Sequence, residues 1–109
     1  MTVHSTAIVP TQSASRYLQQ LCKHWSHNLQ VGFSPEKGEV VFPASGRSGE
    51  WPGEGRLTLA AGVDHLRCDL EASVPEQLEA LKGVVQSHLD RFAFREAPLA
   101  FDWKEWEGV

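Results

Sequence analysis

Residues 65–92 read HLRCDLEASVPEQLEALKGVVQSHLDRF, and a change of period within them decides the fold. Over 65–72, Leu66, Cys68, Leu70 and Ala72 alternate with His65, Arg67, Asp69 and Glu71. Period two marks a strand with one face on a core and the other in water. The pattern switches at Val74-Pro75-Glu76. A proline in the first turn forfeits no helical hydrogen bond, and an acid there complements the helix dipole. Leu78, Leu81, Val85, Leu89 and Phe92 then recur at three and four, which predicts a helix buried along one stripe and fading between Phe94 and Pro98.

Working outward, Leu57 and Leu59 share one side of another strand, with Arg56 and Thr58 on the other. Residues 30–34 and 39–43 flank Ser34-Pro35-Glu36-Lys37-Gly38 and read as a hairpin. Residues 44–55 (ASGRSGEWPGEG) hold four of the nine glycines, so a loop without regular structure is expected, with Trp51 folded back on the core edge. Residues 2–9 (TVHSTAIV) carry β-branched side chains in near alternation and stop at Pro10, as a first strand would. From Ser13 onward, Ala14, Tyr17, Leu18, Leu21, Cys22, Trp25 and Leu29 form a helical stripe, capped by Ser13 or Thr11. Leu99 to Trp103 predict an aromatic tail laid over the core. The expected order is β-α-β-β-β-β-α. This is an α+β class fold over residues 1–109, a single domain with a Gly/Pro-rich loop at 44–55, five mostly antiparallel strands and both helices on one face.

Composition bounds the function. With 109 residues, 41% hydrophobic and 22% charged, the chain can bury one ordinary core. A net charge of −4 argues against nucleic-acid binding, which needs a clustered excess of cations. No apolar run approaches the roughly 18 residues that cross a bilayer, and Met1 to Pro10 lacks the pattern of a secretory leader, so a cytoplasmic protein is expected. Cys22 and Cys68 read as free buried thiols.

The stretch LCKHWSHN at 21–28 sets a thiol beside two imidazoles. On a helix, Cys22 and His24 stand about 160° apart and cannot ligate one ion. His24 and His27 can share an edge, but no local third ligand completes a transition-metal set, and no metal or cofactor is expected. In the second helix His88, Arg91 and Arg95 succeed one another at three and four, beside the buried stripe. Such a row can hold a carboxylate or phosphate; alternatively Arg91 and Arg95 pair with Glu96, Asp102 or acids of the neighbouring strand. With the helices side by side, His24 and His27 are expected to meet His88 and Arg91 in a polar seam.

The segments SRYLQQLCKHWSHN at 15–28 and HLDRFAFRE at 88–96, with a tryptophan at 103, resemble the small bacterial domain-of-unknown-function family numbered twenty-two eighteen. Members often carry lysine where Asn28 stands and a shorter turn in place of 44–55. The resemblance implies a TATA-binding-protein-like β-α-β4-α arrangement and an association with iron, through siderophore-interacting flavin reductases as partners. It makes Arg16, Tyr17, Cys22, Lys23, His24, His27, His88, Arg91, Phe92, Arg95 and Glu96 candidates for a shared surface.

Three functions are compatible with these readings. The first is a non-catalytic accessory in iron or siderophore handling that binds a partner reductase or an anionic small molecule through His24, His27, His88, Arg91 and Arg95. Another is a small enzyme with His24 or His88 as general base and Arg91 or Arg95 as anion holder. No nucleophile elbow, phosphate loop or HExxH pair supports catalysis. The third is a structural or oligomerising module using Trp51, Trp103 and Trp106.

Overall fold

The computed structural model describes residues 2–46 and 49–107, the last two of these for their backbone only. Its elements run β1 (Val3–Pro10), α1 (Ala14–Trp25), β2 (Gln30–Phe33), β3 (Lys37–Phe42), β4 (Ser45–Gly46), β5 (Gly49–Glu50), β6 (Gly55–Ala61), β7 (His65–Ala72), α2 (Pro75–Phe92) and β8 (Lys104–Glu107). Six strands form one antiparallel sheet in the order β2-β3-β6-β7-β1-β8. Both helices lie on one face of it, α1 over β2, β3 and β6, and α2 over β7, β1 and the end of β6. The β-α-β-β-β-β-α order is therefore present in this sheet with one strand, β8, more than expected, and the separate two-stranded pair β4-β5 is inserted between β3 and β6.

The period-two pattern settles which face is covered. Leu66, Cys68, Leu70 and Ala72 of β7 are buried, as are Leu57 and Leu59 of β6, Val40 and Phe42 of β3, and Ala7 and Val9 of β1. These meet Leu18, Leu21, Cys22 and Trp25 of α1 and Leu78, Leu81, Val85 and Leu89 of α2 in one cluster. Two glycines bring the layers together. A Cβ on Gly38 would stand 2.7 Å from the Cys22 sulfur, and one on Gly55 would collide with Leu81. Each helix thus crosses its strand where that strand has no side chain.

Several details differ from the sequence reading. Residues 44–55 are not free of regular structure: Ser45–Gly46 pairs with Gly49–Glu50, and Gly55 already belongs to β6. Trp51 lays its ring against Gly49 of this same excursion, and its backbone amide donates to the Ala44 carbonyl at 2.7 Å. The first helix stops at Trp25 rather than running to Leu29, because the Asn28 and Leu29 amides both turn back to the Trp25 carbonyl. Ser13 makes no side-chain cap; the Thr11 hydroxyl accepts from the Ser13 amide instead, at 3.1 Å.

The aromatic tail is present and continues into β8. Leu99 is buried, with its amide held by Asp90 at 2.9 Å, and Phe101 and Trp103 stack at 5.8 Å against the core. The Trp103 indole donates to Gln86 at 2.8 Å. Lys104–Glu107 then pairs with Val3–Thr6 of β1. Trp106 lies in this strand, and its side chain is outside the described residues.

Candidate functional site

The end of α1 meets the later half of α2 over the β2–β3 hairpin. His24 lies in the last turn of α1, and its ring is 5.7 Å from His88 and 5.7 Å, edge-on, from Phe92. Trp25, one residue on, turns inward between Phe42 at 5.2 Å and His88 at 5.0 Å. Beside these rings opens a groove of about 610 Å³, lined by His24, Trp25, Asn28, Leu29, Phe42, Pro43, Gly46, Val84 and His88. Its walls are apolar and aromatic. Two imidazoles and a carboxamide supply the polar side chains, and no carboxylate is among them.

His88 is held in a defined state. Its Nδ1 lies 2.7 Å from the Val84 carbonyl oxygen, and because a carbonyl only accepts, Nδ1 carries the proton. In the neutral ring Nε2 then bears the lone pair; in the cation it becomes a second donor.

The five residues expected to bind a ligand thus separate. His24 and His88 come together at the groove, whereas His27, Arg91 and Arg95 do not line it. His27 falls in the turn after α1, where helical spacing from His24 no longer applies. The proposed pairing of the arginines with Glu96 and Asp102 is also absent. Glu96 accepts from the Tyr17 hydroxyl and from Thr11 at 3.0 and 3.1 Å, while Asp102 faces Lys104 at 3.3 Å. Arg95 instead sets its guanidinium 5.7 Å from the Phe94 ring. The polar seam is consequently an imidazole pair without Arg91.

Cys22 and His24 also part company. Cys22 is fully buried against Gly38 of β3, and burial pushes its thiol up to about 11. His24 is exposed. Among the described residues no three His, Cys, Asp or Glu side chains gather in a group able to hold an ion.

Sequence reasoning missed the hairpin's share of the groove. Leu29, Phe42 and Pro43 flank α1 in space but carry no signal beyond strand and turn patterning. It also missed Lys82, which lies on the buried side of α2 at 7% exposure. Its ammonium is 2.7 Å from both Glu79 and Glu105 and 5.9 Å from the Trp103 ring centre. The Glu79–Lys82 spacing was the available hint; Glu105 arrives only with β8.

Among the described residues, no helix is long and apolar enough to cross a membrane. No curated protein matches the chain. A solved structure that does is the NMR structure of PA4090 from Pseudomonas aeruginosa, 33% identical, covering 93% of this chain and 94% of that one at a TM-score of 0.70. The same helix-on-sheet architecture is thus shared over nearly the full length of both. The family model described as "Uncharacterized protein conserved in bacteria (DUF2218)" matches residues 6–104, a span that includes both helices and every groove residue, and the chain belongs to that family.

Proposed function

We propose that this protein is a non-catalytic binding domain whose groove between α1, α2 and the β2–β3 hairpin holds a small planar aromatic anion, as an accessory in bacterial iron or siderophore handling. The observation that carries this reading is the groove's lining: aromatic and aliphatic walls, two adjacent imidazoles, and no acid among the described residues. Flat apolar walls favour a ring, and the imidazoles favour an oxyanion at its edge. Free dihydroxybenzoate, the acid from which catecholate siderophores are built, has that chemistry through its carboxylate. Among the described residues that line the groove there is no hydroxyl or thiol nucleophile, which favours holding over turnover.

Because Nδ1 of His88 is committed to Val84, Nε2 donates to an oxyanion only when the ring is protonated. Calorimetric titration with dihydroxybenzoate, benzoate and neutral phenol tests the reading. Both carboxylates should bind, and phenol about tenfold more weakly. His24→Ala and His88→Ala should each weaken the carboxylates several-fold, while Asn28→Lys, which adds a cation at the groove, should strengthen them. Equal binding of phenol and benzoate, or no heat from either acid at low salt, would reject the reading.

A further inference from the structure

The chain's cations are unevenly employed. Arg56, Arg67, Lys82 and Lys104 all face carboxylates, at 3.9, 3.0, 2.7 and 3.3 Å. Arg16, Lys23, Lys37, Arg91 and Arg95 are exposed and make no ion pair among the described residues. Lys37 stands at the start of β3; the other four belong to the helix layer. At about 100° per residue, Arg16 and Lys23 project from the pole of α1 opposite its buried stripe, and Arg91 projects outward on the α1 side of α2.

Acids are scarce on the same layer. The sequence contains no Asp or Glu before Glu36, so α1 has none. Near the end of α2 stand Asp90, occupied by the Leu99 amide, and Glu96, occupied by Tyr17 and Thr11. Glu76 and Glu79 belong to the opposite end of α2, and Glu79 is bound to Lys82. A protein of net charge −4 thus presents a cationic band across both helices. Just past α2, Phe94 stands 72% exposed with the Arg95 guanidinium over its ring. An unburied aromatic next to arginine is the composition of a protein-interface anchor, and arginine forks match carboxylates bidentately.

We infer that the outer surface of α1 and the end of α2, with Arg16, Lys23, Arg91, Arg95 and Phe94, docks an acidic amphipathic segment of a partner protein. This surface is separate from the groove and stands whether or not the groove binds a small anion. Nucleic acid fits less well, because four cations on an acidic protein neutralise fewer phosphates than the roughly six to ten of strong DNA binders. A membrane would draw on the same charges but call for more than one exposed apolar side chain to insert.

The test uses the full chain and a fluorescein-labelled amphipathic peptide of glutamates with a leucine stripe, its glutamine counterpart, phosphatidylglycerol vesicles and a DNA duplex. The glutamate peptide should bind, the glutamine peptide at least about tenfold more weakly, and the difference should shrink as salt shortens the screening length. Arg91→Glu with Arg95→Glu should weaken binding by about tenfold without lowering the melting temperature, and Phe94→Ala should weaken it several-fold at both high and low salt. Unchanged binding by the charge-reversed protein would overturn the inference. So would tighter binding to vesicles or duplex than to the peptide at the same salt, which would assign the band to lipid or nucleic acid.

Discussion

Gly38 of β3 lies directly under Cys22 of α1, so close that a methyl group on the glycine would stand 2.7 Å from the sulfur. The missing side chain sets the depth at which the first helix sits. Gly38→Ala should therefore cost about 1–3 kcal/mol by overpacking, although alanine itself suits a strand better than glycine. Cys22→Ala makes room for the new methyl, so the double variant should be more stable than the two single losses predict. Urea denaturation of the three variants measures this coupling; strict additivity would show that the layers do not meet at this point.

Both cysteines should be unreactive in the native protein. Cys22 and Cys68 are fully buried, and burial pushes both thiols up, with the charge of Asp69 adding to the effect of burial at Cys68. Reaction with an aromatic disulfide reagent near neutral pH should proceed only at the rate of opening, then go to completion at both sites in denaturant. Rapid labelling of either site before denaturation would place that thiol at the surface.

Stability should fall on the alkaline side through Tyr17. Its hydroxyl donates to the Glu96 carboxylate, and that bond, with burial, raises the phenol above its ordinary value of 10.0. Below pH about 10 both folded and unfolded chains hold the proton and the contribution is complete. Above it the unfolded chain ionises first, so stability is lost as pH rises through the folded value. Tyr17→Phe should lower stability by about 1 kcal/mol at neutral pH and flatten part of the alkaline decline. Lys82 retains some of that decline. Burial lowers its value, yet hydrogen bonds to Glu105 and Glu79 outweigh burial and leave it raised.

Lys82 should also control whether β8 stays paired. Lys82→Met keeps the aliphatic stem but deletes the bonds to Glu79 and Glu105, which remain free to hydrate. A loss of about 1 kcal/mol is expected, concentrated in β8. Amide exchange at residues 104–107 should accelerate several-fold while that of β7 is unchanged. Uniform acceleration over the whole sheet would mean that β8 opens only with global unfolding.

The strands and helices visible in the sequence are those whose burial is periodic. Leu66, Cys68, Leu70 and Ala72 bury as their alternation requires, and Leu18, Leu21, Cys22 and Trp25 bury as a helical stripe. β8 was illegible because Lys104–Glu107 is short and mostly charged; its pairing depends on β1 having an open side and on Lys82 reaching Glu105. The meeting of His24 with His88 could be read from two rows on neighbouring helices. The exclusion of Arg91 could not, since it depends on how the helices are rotated. Phe42 and Leu29 enter the groove through the hairpin's position under α1, which no local pattern encodes.

The pairing of Val3–Thr6 with Lys104–Glu107 has a consequence for the nascent chain. β1 is synthesised about a hundred residues before β8 and lacks that neighbour until β8 emerges. Meanwhile its unpaired amides and carbonyls, in a sequence rich in β-branched residues, are a template for any other extended chain. A protein ending at Trp103 would keep that template permanently open. It should form dimers or larger species as concentration rises, seen by sedimentation, whereas monomers throughout would show that β1 is protected by something other than β8.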